Sequence, residues 1–327
     1  VETLAGNSSS ACPGGGGSTC GDGGAATSAL LIAPRGVAVA NTGDVFIADT
    51  GAGRVRRVQA SDGTILSFAG SGASATSAPR SWLSLPLPAS SVAIRPVAVV
   101  VDQSGRVLIA EAALDGTGTA AVTSAIWIVP TVSLTQSFPH TSSGMISLLA
   151  GAAGVPGFGG DGGPASLALL SGPVALALDS IGRLLVADKF NNRIRRIDLD
   201  HRVSADSTVT PATYVDVPQI ETIAGTGAYG YAGDGGSALT AQFRNPTGIA
   251  INPVTDDIYI VDEKNNRIRL ISNKTGKVSA FAGLGVSGDT GDGGLATLAR
   301  VSLGWAQVAV DLFGTVYLAD RGNNRLR

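Results

Sequence analysis

Four aspartates and four arginines recur at one spacing. Asp49, Asp188, Asp262 and Asp320 each stand five residues ahead of Arg54, Arg193, Arg267 and Arg325. A ring of carboxylates would bind cations, and a ring of guanidinium groups would bind anions. The recurrence argues for a different role. A residue present in every repeat is needed by every repeat, so Asp is expected to bond turn amides while Arg pairs with a carboxylate of its own or the next repeat. On this reading, losing Asp262 lowers thermal stability and removes no ligand.

A second recurrent acid lies in Gly-Asp-Gly-Gly, at 21–24, 160–163, 233–236 and 291–294. One carboxylate between glycines offers too few oxygens for calcium, even where Asp289 adds to Asp292. Asp22, Asp161, Asp234 and Asp292 are therefore expected to cap the turn that follows. No Gly-Lys-Ser/Thr continues the glycines, so they are not a phosphate cradle. The histidines, His140 and His201, lie in irregular stretches, and no Gly-x-Ser-x-Gly elbow appears. No catalytic residue, metal site or cofactor is expected from these residues.

Cys12 and Cys20 are the two cysteines and share a Gly-rich stretch. A local disulfide is sterically easy there and would contribute on the order of 2–3 kcal/mol in the chain-entropy model. Two unlinked thiols are the alternative; two ligands alone make a poor metal site. Asn7-Ser-Ser and Asn273-Lys-Thr are glycosylation sequons. With lysine confined to Lys189, Lys264, Lys274 and Lys277, these features lean towards an extracellular or cell-surface location. The 327 residues carry 23 basic and 25 acidic groups, a net charge of −2, and 5% aromatics. That balance argues against a nucleic-acid partner, although Arg56, Arg57, Arg195 and Arg196 could place some guanidinium groups outward. No run of about 18 apolar residues exists to span a membrane.

The elements that must position these residues are themselves repeated. One copy runs Pro34 to Ala40, Val45 to Asp49 and Arg54 to Val58; others begin at Pro173, Pro246 and Ala306, and a degenerate one at Pro96. Each reads as three short strands, with apolar β-branched runs bounded by Gly, Asn and Asp. Asn41-Thr-Gly43, Asp102-Gln-Ser-Gly105, Asp179-Ser-Ile-Gly182 and Asp311-Leu-Phe-Gly314 form the first hairpin turns. The second link is Asp-x-x-Asn-Asn-Arg at 188–193, 262–267 and 320–325, where Asn accepts a left-handed backbone. A fourth strand follows, as in Ile220-Glu-Thr-Ile-Ala-Gly225, and Val1-Glu-Thr-Leu-Ala-Gly6 matches it.

Pro-x-Gly-Ile-Ala-Ile, the Val/Ile-Ala-Asp strand end and Asn-Asn-Arg-Ile-Arg together resemble the NHL repeat family of β-propellers. The resemblance implies an all-β propeller of four-stranded blades over residues 1–327. Five blades are visible, and a sixth is expected if the sequence is part of a longer one. Stacking supports the same arrangement, because one such sheet cannot cover both its faces alone. Residues 1–6 are expected to be the outer strand closing the last blade, within the chain or in a neighbouring molecule. Residues 71–94 and 112–125 are expected to be irregular insertions, since the Asp/Glu positions lie 58–77 residues apart against roughly 40–50 for common propeller repeats. The functional expectation is a non-catalytic extracellular or cell-surface scaffold. It would bind a protein or glycan through its long loops, or bind copies of itself by strand addition into a filament. The alternative that the resemblance implies is a metal-dependent hydrolase or lyase with its site in the central channel.

Overall fold

A computed structural model of the chain describes residues 2–7, 21–73, 87–114, 121–131, 143–151, 155–204 and 214–327. It is an all-β propeller fold built from antiparallel blades. The chain divides into two compact units: Val1–Pro156, Ala165–Gly172 and Asp200–Pro218 in the first, and Gly157–Pro164, Pro173–Leu199 and Gln219–Arg327 in the second.

The first unit holds two blades. One is a four-stranded meander of β1 (Pro34–Val39), β2 (Val45–Asp49), β3 (Arg54–Val58) and β4 (Ile65–Ala69). The other orders β5 (Leu87–Pro88), β9 (Met145–Ala150), β8 (Ala121–Pro130), β7 (Arg106–Leu114) and β6 (Pro96–Val101). Phe46, Val55 and Ala69 of one sheet pack with Val99, Ile109 and Trp127 of the other. A separate hairpin, β13 (Arg202–Ser204) and β14 (Tyr214–Asp216), completes this unit's strands.

The second unit holds three sheets. They are β10 (Pro173–Leu178), β11 (Leu184–Asp188), β12 (Arg193–Asp198) and β15 (Gln219–Ala224); then β16 (Pro246–Ile251), β17 (Ile258–Asp262), β18 (Arg267–Ile271) and β19 (Val278–Ala282); then β20 (Val308–Val310), β21 (Val316–Asp320) and β22 (Arg325–Leu326). Tyr259, Val261 and Ile268 pack on Val301, Leu303 and Val308 between the last two. Burial on both faces explains why the second strands read as unbroken apolar runs rather than an alternation: all five residues of β2 and of β11 are buried.

Two devices recur among the blades. Asn192, Asn266 and Asn324 close the second link with φ of 49°, 46° and 53°, as the Asn-Asn-Arg pattern predicts. A register shift also falls between Val55 and Arg56, Ile126 and Trp127, Ile194 and Arg195, and Ile268 and Arg269. Such a bulge re-aims the side chain that follows it.

Two expectations change. Residues 112–125 are not an irregular insertion: Ala112 pairs with Ser124, Ala113 with Thr123 and Leu114 with Ala121, so β7 and β8 run on as one long hairpin. Residues 115–120, between the two strands, lie outside the described residues. Within 71–94, Leu87–Pro88 pairs with β9 and a short turn follows at Ala89–Ser91. The last sheet has three strands among the described residues, and Glu2–Asn7 carry no strand assignment. Even so, the Gly6 N–H donates to Ala26 O at 3.0 Å, the bond that Gly70, Gly225 and Gly283 make at the ends of β4, β15 and β19.

Candidate functional site

The recurrent acids Asp49, Asp188, Asp262 and Asp320 are fully buried at the ends of second strands. Their partners are not the arginines that the spacing singled out, but those two residues later. Arg56 lies 3.5 Å from Asp49, and Arg195, Arg269 and Arg327 lie 3.3 Å from Asp188, Asp262 and Asp320. The same four guanidinium groups reach the Gly-Asp-Gly-Gly acids: Arg56 to Asp22 at 2.5 Å, Arg195 to Asp161 at 2.5 Å, Arg269 to Asp234 at 2.6 Å and Arg327 to Asp292 at 2.5 Å. The linker acid is thus a partly exposed countercharge, with side-chain exposure from 21% at Asp22 to 62% at Asp292, where a turn cap was expected. Gly233 shows why the motif needs glycine: its φ is +93°, and a Cβ there would lie 2.7 Å from the Ala241 Cα.

The aspartates also take backbone amides from the preceding loop: Ile32 N–H to Asp49 at 2.6 Å, Arg244 N–H to Asp262 at 2.7 Å and Ser302 N–H to Asp320 at 2.8 Å. Burial pushes the Asp262 carboxyl up to about 6, against the opposing pull of Asn265, the Arg244 amide and Arg269. Burial raises Asp49 as well, opposed by the Ile32 amide and Arg56. Each cluster sets one guanidinium between two carboxylates, so the carboxylates tie the linker, the second strand and the third strand of a blade together.

Arg54 and Arg267 bind main-chain carbonyls instead of a carboxylate: Gly70 O and Ser71 O for one, Gly283 O and Leu284 O for the other. Arg193 reaches Thr226 O at 2.6 Å and stacks 3.7 Å from the Phe158 ring centroid. Only Arg325 meets acids as expected, Asp289 and Asp292. Arg56 and Arg195, two of the residues considered for an outward basic face, are buried. In the degenerate blade, Trp127 stands at the arginine position and donates to Glu111 at 2.6 Å.

Cys12, Cys20 and His140 lie outside the described residues. Asn7 is exposed, as is Asn273, whose side-chain amide donates to Thr255 O at 3.3 Å. Among the described residues no three His, Cys, Asp or Glu side chains gather as metal ligands would. One ion pair is singular. Buried Lys189 lies 3.2 Å from Glu263 and 3.7 Å from the Trp305 ring centroid, a cluster closed within the second unit.

What the sequence reading missed is a surface. In the second unit the first hairpin turn of each blade carries apolar residues at its tip: Ile181, Val254, and Leu312 with Phe313, all well exposed and Phe313 at 94%. Consecutive tips abut. Ser180 N–H donates to Asp256 at 3.0 Å, and a Cβ on Gly314 would sit 3.3 Å from the Asn252 side-chain nitrogen. Asp179, Asp256, Asp257 and Asp311 rim the row, with Asp179 paired to Arg183. The first unit's equivalent tips are polar, Thr42 and Gln103-Ser104. The signal was present in Asp179-Ser-Ile-Gly and Asp311-Leu-Phe-Gly, where a large apolar residue occupies a turn that needs none.

The family model of the Teneurin NHL domain matches residues 1–94, and that of the NHL repeat matches residues 243–269. Among proteins of curated function, none matches the sequence. Among solved structures, the chain is similar to virginiamycin B lyase from Staphylococcus aureus, with a TM-score of 0.45, 13% identity and 90% of this chain covered. It spans 65% of that lyase's length. It is also similar to a gluconolactonase from Xanthomonas campestris, with a TM-score of 0.45, 15% identity, and 88% of this chain and 70% of that one covered. An auxiliary nutrient binding protein from Bacteroides thetaiotaomicron gives 0.46, 13%, 90% and 68% on the same measures.

Proposed function

The chain belongs to the NHL-repeat β-propeller family, and from that premise we propose that it is a non-catalytic interaction module working outside the cell. The observation that carries this reading is the apolar row of Ile181, Val254, Leu312 and Phe313. Large apolar side chains held on tight, hydrogen-bonded turns are costly in water and suit a partner surface. The Asp rim selects a protein partner with an apolar centre and basic edges. The extracellular setting is supported by the Teneurin NHL domain match, the two cysteines that share one Gly-rich stretch and the two sequons. Asn273 stands beside the Val254 tip through Asp257 and Thr255, so a glycan there would border the contact surface.

The tip surface is tested with the double variant Leu312→Asp, Phe313→Asp. Exposed substitutions of this kind should alter stability by no more than about 0.5 kcal/mol. Photo-crosslinking from the tips of the unmodified protein should capture a partner that the variant no longer captures. An unchanged capture profile would sink the reading.

A second contact is strand addition between copies. Residues 1–6 of one copy could pair with an exposed strand edge of the next and, repeated head to tail, build a filament. Negative-stain images of concentrated protein should then show rods; isolated particles at every concentration would remove this contact.

A further inference from the structure

In the first unit, a cavity of about 170 Å³ opens between the β2–β3 link and the loop before β6, lined by Thr50, Gly53, Gly72, Ala73, Ile94 and Arg95. The blade of β10, β11, β12 and β15 shows what belongs there. Asp49 pairs with Arg54 as Asp188 pairs with Arg193, so Gly53 occupies the place of Asn192. Both are left-handed, with φ of 62° and 49°. The buried Asn192 carboxamide donates to Gly227 O at 3.2 Å and accepts from the Asn245 N–H at 3.0 Å. Gly72 corresponds to Gly227, since Gly70 and Gly225 make the same amide bond two residues earlier. With glycine at 53, the first unit keeps the space that a carboxamide fills elsewhere. A Cβ on Gly53 would look onto Ile94 O at 3.2 Å and Ala73 O at 3.4 Å. Arg95 lines the same cavity, and its side chain has no hydrogen bond or ion pair among the described residues.

We propose that this cavity binds a primary carboxamide from outside the chain, the side chain of an asparagine or glutamine in a peptide partner. The amide hydrogens are taken by the main-chain carbonyls at Ile94 and Ala73, and the amide oxygen by Arg95. The site is independent of the tip surface and stands or falls separately from it.

The probe is N-acetyl-asparagine methylamide, with the alanine counterpart as control. Titration followed by amide chemical shifts should give a saturable response at millimolar concentration around Gly53, Gly72 and Arg95, and none with the control. Gly53→Asn supplies the missing carboxamide from within. It should raise the melting temperature of the free protein and abolish the response. Arg95→Leu should weaken the response at least tenfold without lowering the melting temperature. An equal response to the alanine probe, a response that survives in Gly53→Asn, or no saturable response at all overturns the proposal.

Discussion

Sheets β6–β9 and β16–β19 put different chemistry on one backbone frame. Ile109 pairs with Trp127 in the first, and Ile260 pairs with Arg269 in the second. Trp127 and Arg269 are both buried, both follow a register shift, and both meet an acid at the end of the second strand, Glu111 or Asp262. Arg269 brings a second carboxylate, Asp234, from the Gly-Asp-Gly-Gly linker. No Gly-Asp-Gly-Gly precedes β6. The two losses belong together. An indole donates one neutral N–H and needs no second countercharge, whereas a buried guanidinium does. The tips differ as well, with Gln103 and Ser104 in one blade and Val254 in the other.

The comparison can be broken most forcefully at Arg269. Arg269→Ala leaves Asp262 and Asp234 without their shared cation and should cost about 3–5 kcal/mol in denaturant unfolding. A loss below about 1 kcal/mol would mean that the charged blade stands on apolar packing alone, as a neutral one would.

A smaller effect sharpens the comparison through pH. With burial holding Asp262 near 6 and its ordinary value at 3.8, the folded protein keeps a proton between these values that the unfolded chain releases. Stability from this group is therefore fully present below about 3.8 and is lost as pH rises to about 6. Relative to Asp262→Asn, the unmodified protein should lose up to about 3 kcal/mol across that window, read from melting curves at each pH. A gain over the same range would show that the attraction of Arg269 outweighs burial.

Much of this architecture was legible in the residues because it is local. Short β-branched apolar runs, Asn in left-handed turns and Asp or Asn with Gly at hairpins follow from backbone sterics and neighbouring hydrogen bonds. A structural role for the recurrent Asp was expected from the recurrence, which marks what every blade requires, but its burial was not. Nor was its partner. Arg54 and Arg56 are two apart on one strand, and alternation alone treats them alike. The register shift between Val55 and Arg56 decides which one enters the core. The long β7–β8 hairpin was hidden for a related reason, since Gly116 and Gly118 read as loop while the pairing depends on the partner strand.

By itself the sequence determined a repeating all-β chain whose turns and strand ends carry fixed residue types, since those depend on contacts a few residues long. Only the tertiary structure decided that Asp22 meets Arg56 across 34 positions, that an apolar row forms from three separate turns, and that Gly53 leaves room where Asn192 fills it. Those outcomes come from sheets pressed face to face, where distant segments share one low-dielectric space and every buried charge must find its opposite.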